Sequence, residues 1–154
     1  QWMEGQGGSI VNIIADMWMG MPGMAHSGAA RAGMLSFTET AACEWGHSGV
    51  RVNAVAPGWI ASNGMDHYDE HYRSVLRGLK TKVPLQRFGT EAELAAAVVF
   101  LLSEASAFVN GAVIRVDGGV PTARHTWTLP PADRHEVFQG FPQYRPPTML
   151  GDEA

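Results

Sequence analysis

A single cysteine, Cys43, stands among 154 residues. It excludes an internal disulfide and leaves no second thiol for a zinc cluster. It lies in an apolar helical stretch, so the expectation is a small buried core residue and not a nucleophile. A reducing, cytoplasmic compartment fits. Positive charge is also scarce: 11 Lys and Arg stand against 15 Asp and Glu, for a net charge of −4. No basic stripe is present for a phosphate backbone, which argues against nucleic-acid binding. No apolar run reaches the roughly 18 residues that a membrane helix requires. The opening residues show no signal-peptide pattern, and no leader is expected. His-Glu-x-x-His is absent, and no third ligand accompanies His67 and His71. Four residues apart, these two are expected as a solvated pair on one helix face, not as a metal site.

Hydrophobic residues make up 45% and charged residues 17%, which is the balance of one ordinary globular domain. Gly7-Gly8 is a turn signal, and the β-branched run Ser9 to Ile14 predicts a buried strand. Met17, Trp18, Met19, Met21 and Met24 then crowd around Gly20 and Pro22-Gly23 in a loop. This cluster suits an acyl-chain pocket, because methionine adapts to irregular apolar shapes; ordinary core packing competes with that reading on nearly equal terms. A proline-free helical pattern runs from about Ala25 to Trp45, with small residues from Gly28 to Gly33.

The second strand is expected over Val50 to Ala56, closed by Pro57-Gly58. Asp66 to Lys80 is polar with helical spacing. Thr90 and Glu93 form a capping box before the apolar stretch Leu94 to Leu102, which predicts a buried helix. Ala112 to Val116 is the third expected strand, ended by Asp117-Gly118-Gly119. Residues 120–154 hold six of the nine prolines and no clean period, and read as a tail that wraps over a surface or a partner. The expected division is therefore 1–119 as an α/β domain and 120–154 as an irregular tail. Strand, helix, strand, helix, strand predicts a parallel sheet with flanking helices.

Five segments together resemble the short-chain dehydrogenases/reductases: GGSIVNI, AARAG, GVRVNAVAPGWIAS, VPLQRFGTEAELAAAVVFLLSEASAFVNG and VIRVDGG. They follow that family's order and spacing from about residue 7 to 119. Within the family, HSGAARAG (His26 to Gly33) and the segment near Trp127 to Pro131 are similar to the branch of peroxisomal trans-2-enoyl-CoA reductases and their bacterial relatives. The resemblance implies a partial doubly wound, Rossmann-like parallel sheet. It also implies NADP or NAD as cofactor and a homodimer or homotetramer. The Gly-rich turn that cradles the pyrophosphate belongs to earlier strands and does not occur in this sequence, so NAD versus NADP stays open.

The family's usual Tyr and Lys positions carry Ser27 and Arg31 here, and its Ser position falls near Ile14 or Ala15. Leu35 occupies the place of a tyrosine proposed as acid in the nearer relatives. Arg31 can hold ribose hydroxyls but does not deprotonate, and Ser27 donates hydrogen bonds but is a weak acid. Such donors suit the enolate oxygen of an enoyl thioester better than an alkoxide that needs a proton at once. His26 is a second candidate acid, with a packed neutral histidine as an equal alternative. The resemblance also assigns Pro57, Gly58, Trp59, Ile60 and Ser62 to the cofactor: backbone near Ile60 to the carboxamide, Ser62 to the pyrophosphate, with Arg31 at the ribose.

Tyr68 to Lys80 is the expected lid, with Arg73, Arg77, Lys80 and Lys82 either facing CoA phosphates or forming a solvated face. The expected function is NAD(P)-dependent reduction of an enoyl thioester. The alternatives are oxidoreduction of branched or medium-chain alcohols and aldehydes such as citronellol, or a truncated non-catalytic homologue. A longer native chain favours catalysis, and a complete product of 154 residues favours the non-catalytic reading. An uncovered SIVNII edge predicts marginal stability or strong association.

Overall fold

The computed structural model describes residues 7–123, 126–132, 136–138, 140 and 148–149. The chain divides into two compact units, one of Gln1–Pro57 with Ala96–Arg115, the other of Gly58–Ala95 with Val116–Ala154.

The first unit is built on a three-stranded sheet in the order β1-β2-β5, with β1 at Gly8–Ile13, β2 at Val50–Pro57 and β5 at Val113–Val116. β1 and β2 run parallel, in a register that sets Ser9 beside Arg51 and Asn12 beside Ala54. β2 is the central strand. Val52, Asn53, Ala54, Val55 and Ala56 are all fully shielded from solvent. A continuous apolar run, not an alternating one, is what burial on both faces demands. Each fully buried Val contributes about 1.5–3 kcal/mol relative to an exposed one.

Helix α1 (Ala25–Trp45) covers one face. Ala41 and Ala42 pack with Val50 and Val52, and Leu35 packs beside Ile14, Ala54 and Ala56. A polar peg fixes the helix on the sheet: Asn12 Nδ2 donates to Thr38 Oγ1 at 2.9 Å, and Thr38 Oγ1 donates to the Met34 carbonyl at 2.8 Å. The opposite face carries Ser9 and Arg51, and both reach the carbonyl of Leu101 at the end of α3 (Glu91–Leu102). Arg51 also bonds Ser106 Oγ and the carbonyls of Ser103 and Val109. A guanidinium on the last carbonyls of a helix satisfies orphan acceptors and opposes the negative end of the dipole. Asn53 bonds both the Val109 carbonyl and the Ala112 N–H, and so ties β2 to the entry of β5.

The second unit contains a short parallel pair, β3 (Ile60–Ala61) with β4 (Gly89–Thr90). A 3-10 turn at Asn63–His67 leads to α2 (Glu70–Leu79), whose N-terminus is capped by Asp69 accepting the Tyr72 N–H at 2.8 Å. The expected capping box forms: Glu93 N–H donates to Thr90 Oγ1 at 3.1 Å, and Thr90 N–H to Glu93 Oε2 at 2.9 Å.

Three expectations differ from the structure. Cys43 is exposed, because it lies on the face of α1 turned away from the sheet. The apolar α3 is not buried all round: Val99, Phe100 and Leu102 remain 40–53% exposed, while Leu101 is fully buried. His67 and His71 do not share a helix, because α2 begins only at Glu70. The pair β3–β4 lay below what two-residue strands reveal in a sequence. Among the described residues no helix is long and apolar enough to cross a membrane.

Candidate functional site

His26, Ser27 and Arg31 lie in the first two turns of α1. Four residues apart, Ser27 and Arg31 share one helix face. Ser27 is half-buried, and His26 and Arg31 are exposed. The turn of Met21–Met24 abuts this segment: a Cβ on Gly28 would meet the Met21 side chain at 3.6 Å, and the Gly28 N–H bonds the Met24 carbonyl. Small residues here let the methionine loop lie close to the helix.

Two other positions at which the family carries catalytic side chains, by the expected correspondence, are taken up by packing. Ile14 is 2% exposed and packs in the cluster with Ala54 and Ala56. Leu35 packs against the same cluster. Neither offers a proton, and neither faces outward. Met17 also joins this core, whereas Met19 is 71% exposed and Trp18 lies beneath Arg115, 5.6 Å from its ring centroid. The methionine cluster is thus split between core and surface.

Asp16 follows β1, and its N–H donates to the Pro57 carbonyl at 3.0 Å. This aligns the C-terminal ends of β1 and β2, the ends at which parallel sheets bind ligands. Sequence reasoning passed over Asp16; its place just beyond β1, a strand expected to be buried but in fact only partly so, was the available signal.

Pro57 closes β2 in the first unit. In the second, Gly58, Trp59, Ile60 and Ser62 form one continuous turn and strand. The Gly58 N–H bonds the Val116 carbonyl at 2.9 Å. A Cβ on Gly58 would lie 2.7 Å from the Asp117 Cα, so only glycine fits. The Trp59 carbonyl accepts the Gly89 N–H at 2.9 Å, and β3 pairs with β4 just beyond it. This pairing ties the main chain at Ile60 to that at Gly89. Ser62 opens the 3-10 turn through its carbonyl, and its hydroxyl does not cap that turn.

The cations of the expected lid are largely engaged. Arg73 donates to the carbonyls of Tyr68 and Asp66, and Arg77 pairs with Glu70 at 2.9 Å. The Tyr68 and Tyr72 rings meet at a tilt of 53° with centroids 4.8 Å apart and stay exposed. Among the described residues no group of His, Cys, Asp and Glu is arranged to hold a metal ion.

Comparison with known proteins accounts for these pieces together. A family model described as Enoyl-(Acyl carrier protein) reductase matches residues 1–121. The peroxisomal 2,4-dienoyl-CoA reductase of Danio rerio is 43% identical over 126 residues, covering 77% of this chain and 40% of that protein. A solved citronellol catabolism dehydrogenase from Pseudomonas aeruginosa is 60% identical with a TM-score of 0.64, over 77% of this chain and 44% of that one. A candidate 2-deoxy-D-gluconate 3-dehydrogenase from Agrobacterium tumefaciens, solved with bound NADP, is 33% identical with a TM-score of 0.68, over 77% and 48%. The chain thus spans less than half the length of these relatives. It belongs to the short-chain dehydrogenase/reductase family, with the parallel α/β sheet of that family's Rossmann fold.

Proposed function

We propose that this chain forms part of an NAD(P)-dependent oxidoreductase that reduces an enoyl thioester. The observation that carries the reading is the placing of Ser27 and Arg31 four residues apart on α1, while Ile14 and Leu35 are spent on packing. Hydrogen-bond donors remain where the family's usual acid and base stand, but no strong acid does. Reduction of a ketone creates an alkoxide that needs a tuned acid. Reduction of an enoyl thioester places charge on the thioester oxygen, which a hydroxyl and a guanidinium stabilise by donation alone. The proton on the α-carbon then comes from water, with His26 as the alternative donor.

The place of this segment, just past the C-terminal end of the parallel strand β2, supports the cofactor assignment. Pro57, Gly58, Trp59 and Ile60 would hold the nicotinamide end, Ser62 the pyrophosphate, and Arg31 the ribose. When bound in its reduced form, NADPH or NADH would supply the hydride and leave as NADP or NAD. The division into a family domain over 1–119 and a tail over 120–154 belongs to this reading, as do a cytoplasmic site and assembly into a homodimer or homotetramer. The exposed Val99, Phe100 and Leu102 support the assembly.

One observation favours a second substrate class. The 60% identity to a citronellol catabolism dehydrogenase supports a branched alcohol or aldehyde. Oxidation of NADPH and NADH by the native gene product, with trans-2-enoyl-CoA and with citronellal, separates the two. Turnover of the thioester that falls at least tenfold in Ser27→Ala and Arg31→Met supports the first reading. Turnover of citronellal alone replaces it with the second, and no turnover of either leaves a non-catalytic homologue.

A further inference from the structure

The described residues beyond 123 are gripped by their main chain at three places on the second unit. Gln86 donates from Nε2 to the Pro130 carbonyl and accepts the Ala132 N–H at Oε1, at 3.2 Å. Arg87 donates to the Glu136 carbonyl at 3.1 Å, and its ion-pair partner Glu93 accepts the Phe138 N–H at 3.4 Å. Asp66 accepts the N–H groups of Thr148 and Met149 at 3.1 and 3.0 Å, and Arg77 donates to the Met149 carbonyl at 3.3 Å.

The first two grips have the same form. In extended chain, the carbonyl of one residue and the N–H two positions later project from the same edge, as they do toward a neighbouring strand. Here side chains take the place of that strand. An amide does so alone, since it carries both a donor and an acceptor. Arg87 and Glu93 do so as a pair. A proline-rich segment cannot complete its own ladder, so its remaining carbonyls and N–H groups need partners elsewhere. Gln86 makes its grip from a left-handed backbone, φ 54°, which a non-glycine residue adopts at a cost. Donation from the Met149 N–H is the main reason the Asp66 carboxyl sits below its ordinary range.

We propose that the described tail residues 130–132, 136–138 and 148–149 act as an intramolecular strap, clipped by Gln86, by Arg87 with Glu93, and by Asp66 with Arg77, that fixes the 3-10 turn at Asn63–His67 and helix α2. The third clip falls on these elements directly: Asp66 lies in the turn and Arg77 in the helix. They follow Ser62 without a break, so the strap limits how far the segment after the candidate cofactor turn can open. The contacts are chiefly to the tail's backbone, joined at Asp66 by the Thr148 side chain.

Hydrogen exchange followed by mass spectrometry tests this on the whole chain, without any need for turnover, so the outcome is independent of the reductase reading. In Gln86→Gly the backbone strain disappears while the clip is lost. Exchange of the tail amides, including Ala132, should rise at least tenfold there. Asp66→Ala should do the same at Thr148 and Met149 and also loosen α2. Glu136→Ala, which removes only a tail side chain, should change neither. β2 amides should stay protected throughout. Unchanged tail exchange in both clip variants overturns the proposal. So does a parallel rise in β2, which would mean global unfolding and not release of a strap.

Discussion

Arg87 and Glu93 meet in a two-pronged ion pair, with Nη2 to Oε1 at 2.7 Å and Nη1 to Oε2 at 2.9 Å, both side chains about four-fifths buried. The same Glu93 closes the capping box on Thr90. One carboxylate therefore starts helix α3 and anchors the loop before it. Parallel, charge-assisted bonds of this kind are about twice as strong as neutral ones.

The double role predicts a measurable cost. Arg87→Ala should destabilise the protein by about 2 kcal/mol, because a shielded carboxylate loses its partner. Glu93→Ala should cost a similar amount, and the double variant less than the sum. Urea unfolding of the four proteins measures the coupling, and strict additivity would contradict it.

Acid should act through the same group. Burial pushes the Glu93 carboxyl up, but hydrogen bonds and charge from Arg87, together with the Thr90 N–H, outweigh it and leave it below the ordinary range. A depressed folded pKa stabilises the fold fully above the unfolded value, near ~4.3 for glutamate, and loses that contribution as pH falls through the folded value. Stability measured from pH 6 down to pH 3 should therefore drop more steeply in the parent than in Glu93→Gln. Identical slopes would remove Glu93 from the account.

Arg51 holds four acceptors around the end of α3. Arg51→Met keeps much of the stem volume and leaves those carbonyls with fewer donors, at an expected cost of about 2–3 kcal/mol. The midpoint of a denaturant titration should fall, with little change in slope. A shift below a few tenths of a kcal/mol would show that solvent replaces the guanidinium.

Thr38→Val should cost about 1–2 kcal/mol despite equal size, since it strips the acceptor from Asn12 Nδ2 inside the packed interface. Asn12→Leu in the same background should recover part of the loss. Thermal melts of the single and double variants decide it.

Gly58→Ala puts a methyl group against main chain at Asp117. Movement of the turn is then unavoidable. A lower melting temperature is expected, together with weaker NADPH and NADH binding by fluorescence titration of the native gene product. Unaltered affinity would dissociate this turn from the cofactor.

Much of the architecture was legible along the chain because each element satisfies a local rule. Ser9–Ile13 and Val50–Ala56 are β-branched or small and bounded by glycine, Ala25–Trp45 contains no proline, and Thr90 with Glu93 announces a helix start. The placing of Ser27 and Arg31 at the family's usual Tyr and Lys positions is an expectation that rests on sequence spacing alone. Only the tertiary structure turned Ile14 and Leu35 into the core and left Cys43, Val99 and Phe100 exposed. An apolar residue in a helix reveals its hydrophobicity but not which face a sheet will cover. The clips on the tail were likewise invisible: Asp66, Gln86 and Glu93 are separated from their partners by more than forty residues, and what they bind is chiefly backbone, which every sequence shares.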